Sequence, residues 1–207
     1  MQDPMYVRTT YATGDPARIG TALDAITRDA PGLLRGQPGY QRFGLFADRE
    51  VGKIMMGSWW ESESARDASD AALRDRRTEL LQPFATTVTT EAWQVVSYTD
   101  APRFGPDAGA RMGRVEFAPK DAGTFARTFV DAGRPGLEAI DGLVAATLLM
   151  NAKAGRAMIS TIFRDQDALA SARGPQAAVR GDGFQRMQAS LIGLEEYEIV
   201  AMDMQEA

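Results

Sequence analysis

The 207-residue chain contains no cysteine and no histidine. Those two absences remove disulfides, thiol nucleophiles, Ser-His-Asp triads, zinc sites of the Cys/His kind and His-ligated haem or iron. A magnesium or calcium site built from carboxylates alone would survive, but no DxDxDG-type loop appears, and no GxGxxG follows an apolar run. We therefore expect no metal and no cofactor. Long apolar runs are also missing: nowhere do about eighteen apolar residues follow one another, and the start "MQDPMYVRTTYATGDP" has neither a basic head nor an apolar core. These features predict a cytoplasmic protein with no membrane partner. The net charge of -5, without a cluster of Lys and Arg, argues against nucleic acid, whose phosphates demand clustered cations.

What the chain does contain is a repeat. From Gly39 to Ala68, "GYQRFGLFADREVGKIMMGSWWESESARDA" lies without gaps over "GLVAATLLMNAKAGRAMISTIFRDQDALAS", Gly142 to Ser171, at a constant offset of 103. Gly39 meets Gly142, Gly52 meets Gly155, Lys53 meets Arg156, and Trp60 meets Phe163. Self-similarity at a fixed period means one supersecondary unit used twice.

Each half then reads alike. A strand (Tyr6 to Ala12; Met112 to Phe117) precedes a helix opened at Asp15-Pro16 or Lys120-Asp121, where an acid and a first-turn proline are favourable. Two strands follow, turned at Gly52 or Gly155. A second helix starts near Ser62 or Asp165, both good N-caps, and a last strand closes the half at Ala92 to Tyr98 or Tyr197 to Met202. The order is β-α-β-β-α-β, the ferredoxin-like arrangement. We expect a first repeat over 1–98, a linker over 99–111, rich in Pro, Gly and Ala, and a second repeat over 112–207. One such sheet leaves a face bare, so the predicted fold is α+β, with the two ferredoxin-like repeats packed sheet to sheet as an intrachain α+β barrel. A homodimer of the two-repeat chain stays open.

The tandem β-α-β-β-α-β order and the strand end "SWWESES" resemble the antibiotic biosynthesis monooxygenase family of the dimeric α+β barrel superfamily. The resemblance implies a Trp-walled cavity and cofactor-independent oxidation of an aromatic or polyketide-like small molecule, as in anthrone-to-quinone conversion. It also implies that the superfamily's haem branch, which binds iron through His, is a poor match. The pattern is incomplete: quinone-forming relatives carry Asn four residues before the Trp and Tyr six after it, positions held here by Met56 and Arg66. In the second half those positions are Ile159 and Leu169, with Phe163 in place of the Trp.

Strand alternation assigns faces. Val115 and Phe117 are expected to face the helices and Arg114 and Glu116 the barrel interior, with Arg8 and Thr10 as the first half's inward pair. Met56, Ser58 and Trp60 share one face of the third strand, as do Ile159, Thr161 and Phe163 in the repeat. Gln94 and Glu198 are the inward residues of the closing strands, and Trp59 then points at the helices as core. In this reading Trp60 and Phe163 stack a planar ring, Trp60 donates its indole N–H, Arg8 or Arg114 holds the substrate anion, and Glu116 or Glu198 is the base. Two alternatives share these residues: a binding module for a hydrophobic small molecule, and a structural barrel in which Trp60 with Met56 is packing and Arg114, Glu116 and Glu198 are a charge-paired seam.

Overall fold

A computed structural model describes residues 5–99 and 105–204; the middle of the expected linker lies outside the described residues. The first half runs β1 (Tyr6–Gly14), a 3-10 turn (Pro16–Arg18), α1 (Ile19–Arg35), β2 (Tyr40–Asp48), β3 (Lys53–Trp60), α2 (Glu63–Leu81) and β4 (Ala85–Tyr98). The second runs β5 (Gly109–Glu116), a 3-10 turn (Pro119–Asp121), α3 (Ala122–Thr128), a π-helical turn (Phe129–Gly133), α4 (Arg134–Glu138), β6 (Leu143–Asn151), β7 (Arg156–Phe163), α5 (Gln166–Ser171), α6 (Arg173–Met187) and β8 (Ser190–Met204). Both halves have the expected order.

The local chemistry of the repeat explains why these elements form where they do. Asp15, Ser62 and Asp165 accept from the backbone N–H of Ala17, Ala65 and Ala168, satisfying donors that the first helical turn leaves orphaned. Gly52 and Gly155 turn the central hairpins at φ 67° and 64°. A Cβ there would stand 2.4 and 2.2 Å from the carbonyl oxygens of Gly14 and Phe117, so glycine is required twice over. β5 begins at Gly109 rather than at the expected Met112, which takes Arg111 out of the linker and into a strand.

The strands hydrogen-bond in the closed order β1-β3-β2-β8-β5-β7-β6-β4. The fold is α+β, two ferredoxin-like repeats whose strands form an eight-stranded antiparallel barrel. Two compact units divide the chain: Met1–Gln94 with Glu198–Ala207, and Val95–Tyr197. In unit 1, Ile19, Leu23, Ile26 and Leu34 of α1 pack on Ala12, Phe43, Leu45, Ile54 and Trp60 of the strands. Each large apolar side chain buried this way contributes about 1.5–3 kcal/mol. In unit 2, Phe125, Phe129 and Leu137 pack on Val115, Phe117, Leu148 and Met150, with Phe117 and Phe125 stacked at 4.7 Å. No helix among the described residues is long and apolar enough to cross a membrane.

Candidate functional site

Each unit holds a cavity between its own helices and its own strands. In unit 1 a cavity of about 60 Å³ has a floor of Arg8 and Thr10 from β1, Phe43 from β2, and Met56 and Ser58 from β3. Leu33 of α1 and Leu73, Arg77 and Leu80 of α2 close it from above. The walls are apolar and the charge is cationic. No carboxylate lines it among the described residues.

Arg8 is the centre of this site. Only 6% of it is exposed, and its Nη1 donates to Ser69 Oγ at 2.8 Å and to the carbonyl of Arg66 at 3.3 Å. Its guanidinium carbon lies 5.4 Å from the centroid of Trp60, a cation–π contact. The balancing charge is distant and shared: Asp70 Oδ1 is 3.6 Å from Arg8 but 2.9 Å from Arg77, and Asp70 Oδ2 is 3.7 Å from Arg74. Three arginines thus share one carboxylate. Burial above all, and then the neighbouring charge of Arg77, push the Arg8 guanidinium down to about 10, against the pull of Asp70. Arg8 stays cationic at neutral pH in a place that would welcome another negative charge.

Unit 2 builds its cavity at matching positions with different chemistry. Its volume is about 40 Å³, and Arg111 and Thr161 occupy the places of Arg8 and Ser58 at the same offset of 103. Arg111 is 2% exposed and donates from all three of its guanidinium nitrogens. It donates to Gln176 Oε1, to the carbonyl of Leu169 at 2.7 Å and to Glu196 Oε1 at 2.6 Å. Gln176 in turn donates to Thr161 Oγ1 at 2.9 Å. Hydrogen bonds from Arg173, then from Arg111, outweigh burial and hold the Glu196 carboxyl below its ordinary range.

The expected site residues separate into three groups. Arg8, Thr10, Met56 and Ser58 line the unit 1 cavity, and Ile159 and Thr161 line the unit 2 cavity. Trp60 and Phe163, both 0% exposed, are core beside those cavities. Trp60 Nε1 donates to Ser58 Oγ at 3.0 Å and its ring meets Tyr40 edge-on at 5.8 Å. Gln94, Arg114, Glu116 and Glu198 line neither cavity. Glu116 and Gln94 are exposed, and Glu198 pairs with Arg49 at 2.6 Å.

The facing assignment is corrected. The face carrying Arg8, Thr10, Met56, Ser58 and Trp60 lies under α1 and α2, as the Arg8–Ser69 bond and the packing of Trp60 with Leu23 and Ile26 require. Trp59, expected as helix-side core, is on the opposite face, its ring lying where a Cβ on Gly57 would be. The cause is a register slip. Val115 and Phe117 do face the helices, but matching Arg8 to Arg114 uses an even spacing. The repeat offset of 103 matches Arg8 to Arg111 and Ala12 to Val115, and inverts the face. Extending that offset into β1 is the signal that would have found Arg111. Arg66 is buried beside the site and lends its carbonyl to Arg8.

Comparison with known proteins completes the picture. Over 195 residues the chain is 23% identical to Rv2557, an uncharacterized protein of Mycobacterium tuberculosis (strain ATCC 25618 / H37Rv), covering 94% of this chain and 87% of that protein. A second protein of that strain, Rv2558, is 23% identical over 197 residues, covering 94% and 83%. No protein-family model matches. Among solved structures, an anthrone oxidase-like protein superposes with a TM-score of 0.73 at 14% identity, over 98% of this chain and 94% of its own. An uncharacterized ferredoxin-fold protein related to antibiotic biosynthesis monooxygenases, from Listeria monocytogenes 4b F2365, gives 0.58 at 9% identity over 96% and 95%. The internal repeat, the closed strand order and these neighbours give one conclusion: this chain has the ferredoxin-like barrel fold seen in proteins related to antibiotic biosynthesis monooxygenases, with both repeats in one chain.

Proposed function

We propose that the unit 1 cavity is the active site of a cofactor-independent monooxygenase acting on an aromatic or polyketide-like phenol or enol bound as its anion. The observation that carries this reading is Arg8, a buried cation beside a second cation, at the floor of an apolar cavity. An ionised phenol or enol adds to the one carboxylate that Arg8 shares with Arg74 and Arg77, and its apolar body suits Phe43, Met56 and Leu81. The fold shared with an anthrone oxidase-like protein agrees with it.

The chemistry asks little else of the protein. Stabilising the anion lowers the substrate's own pKa, so its proton goes to water and no buried base is needed. The electron-rich carbanion then reduces dioxygen. For an anthrone-type CH2, one oxygen atom becomes the new C=O and the other leaves as water with the two hydrogens, so the substrate is oxidised and dioxygen fully reduced. The residues' part is positioning, charge and exclusion of water. At about 60 Å³ the cavity is smaller than the several hundred Å³ of a drug-sized site, so a ring enters by displacing the half-exposed Leu33, Leu73 and Leu80.

A second reading, a binding module without turnover, is favoured by the same small volume and by the absence of a lining carboxylate among the described residues. Oxygen uptake with a panel of anthrones and hydroxynaphthoquinols, beside a fluorescence titration with the matching quinones, separates them. All three tryptophans lie in unit 1, so quenching reports this cavity. Uptake abolished by Arg8→Gln supports the oxygenase; quenching without uptake supports the binder; neither sinks both.

A further inference from the structure

The offset that relates the two cavities also shows where they differ. Asp70, the carboxylate that holds Arg77 in unit 1, corresponds to Arg173 in unit 2, and Arg77 corresponds to Arg180. Arg180 lines the unit 2 cavity and makes no ion pair or hydrogen bond with the described residues. Its neighbour Arg111 spends its donors on Glu196, Gln176 and Leu169. Burial first, and then the charge of Arg111, lower the Arg180 guanidinium.

Access differs as well. Where unit 1 sets Leu80 and Ala30 over its cavity, unit 2 has Gly183 and Gly133 at the matching positions, both lining the space. Gly133 ends the π-helical turn that takes the place of regular α1 helix in the first repeat. Such turns are rare and concentrate at functional sites. Inside, Phe129, Ile159, Val179 and Met187 leave an apolar space of about 40 Å³, too narrow for a ring, which an alkyl chain enters as these side chains give way.

We propose that the unit 2 cavity is a second ligand site, separate from that of unit 1, for a medium-chain aliphatic carboxylate. The carboxylate pairs with Arg180 at the rim, a bidentate geometry natural to guanidinium, and the chain enters past Gly183 toward Phe129 and Met187. The site is a binding site, with no chemistry assigned to it.

The test uses the full-length chain labelled at its methionine methyls, because Met56 lines one cavity and Met187 the other. Octanoate is expected to shift the Met187 methyl resonance to saturation, with shorter acids weaker by about fourfold per methylene and octanol at least about tenfold weaker. Arg180→Gln should weaken octanoate by about tenfold or more, with Arg180→Lys recovering part of the loss. Gly183→Leu, which keeps the cation but restores unit 1's residue type over the cavity, should block it. A Met187 methyl that octanoate leaves unmoved overturns the proposal, as does octanol binding as tightly as octanoate, or Arg180→Gln or Gly183→Leu binding like wild type. A shift confined to Met56 overturns it too and leaves the reading of unit 1 standing.

Discussion

At the scale of single residues, a buried arginine and a buried tryptophan divide the work of unit 1. Trp60 is fully enclosed and its ring supports Arg8 from one side, so Trp60→Ala should cost about 3–5 kcal/mol, the range for truncating a buried aromatic. Chemical denaturation measures it. Trp59, on the other face and only partly buried, should cost less when truncated; an equal or larger loss would reverse the facing now assigned to β3. Adjacent tryptophans at the end of an apolar strand announce that two faces are covered, but alternation alone does not say by what. Here the polar Arg8 and Thr10 sit on the helix side because a cavity, not close packing, lies above them, and the apolar Val7 and Tyr11 on the other face are buried too. A pattern that equates apolar with helix-side misreads such a strand.

At the scale of elements, the repeat makes paired predictions. Ser62 and Asp165 stand at the same position of the two halves: Ser62 caps α2, which carries Arg77, and Asp165 caps the short α5 that precedes α6 and its Arg180. Ser62→Ala and Asp165→Ala should each lower stability by about 1 kcal/mol, read as a shift of the denaturation midpoint at constant slope. A cost at one position and none at the other would mean that the halves stabilise their second helices differently. These caps, the hairpin glycines and the first-turn prolines were legible because each is local chemistry: a side-chain oxygen within reach of an orphaned N–H, a backbone angle that only glycine takes cheaply. The starts of β4 and β8 were not legible. Both strands begin well before the apolar segments that marked them, in runs such as Thr86 to Thr90 that are exposed and carry no buried-face pattern.

At the scale of the whole molecule, part of the acid stability should rest on two partly buried carboxylates. Hydrogen bonds from Arg35 and then from Tyr40, against burial, hold the Asp203 carboxyl below its ordinary range, and Arg173 and Arg111 do the same for Glu196. A carboxylate with a depressed folded-state pKa adds stability that is complete above the unfolded value and is lost as pH falls through the folded one. Stability should therefore decline on acidification from about pH 4 downward. Asp203→Asn and Glu196→Gln should each lower stability at neutral pH and flatten that decline, as followed by denaturation at a series of pH values. Glu196→Gln has the further effect of leaving Arg111, 2% exposed, without its counter-charge. Wild-type acid dependence in both variants would show that the pairs carry none of it.

The sequence by itself determined the repeat, its offset of 103, the order of elements in each half and the absence of every thiol and imidazole, because periodicity, turn chemistry and composition are properties of the chain alone. Only the tertiary structure decided which face of each sheet meets the helices, and that Arg8, Thr10, Met56 and Ser58 line one cavity and Ile159 and Thr161 the other while Gln94, Arg114, Glu116 and Glu198 line neither. The physical reason is that strand alternation fixes which residues share a face but not what covers that face. Both faces here are buried, so the choice is made by helix packing and by where a guanidinium finds its hydrogen bonds. Those partners, Ser69 for Arg8 and Gln176 with Glu196 for Arg111, lie 61 residues or more away in sequence.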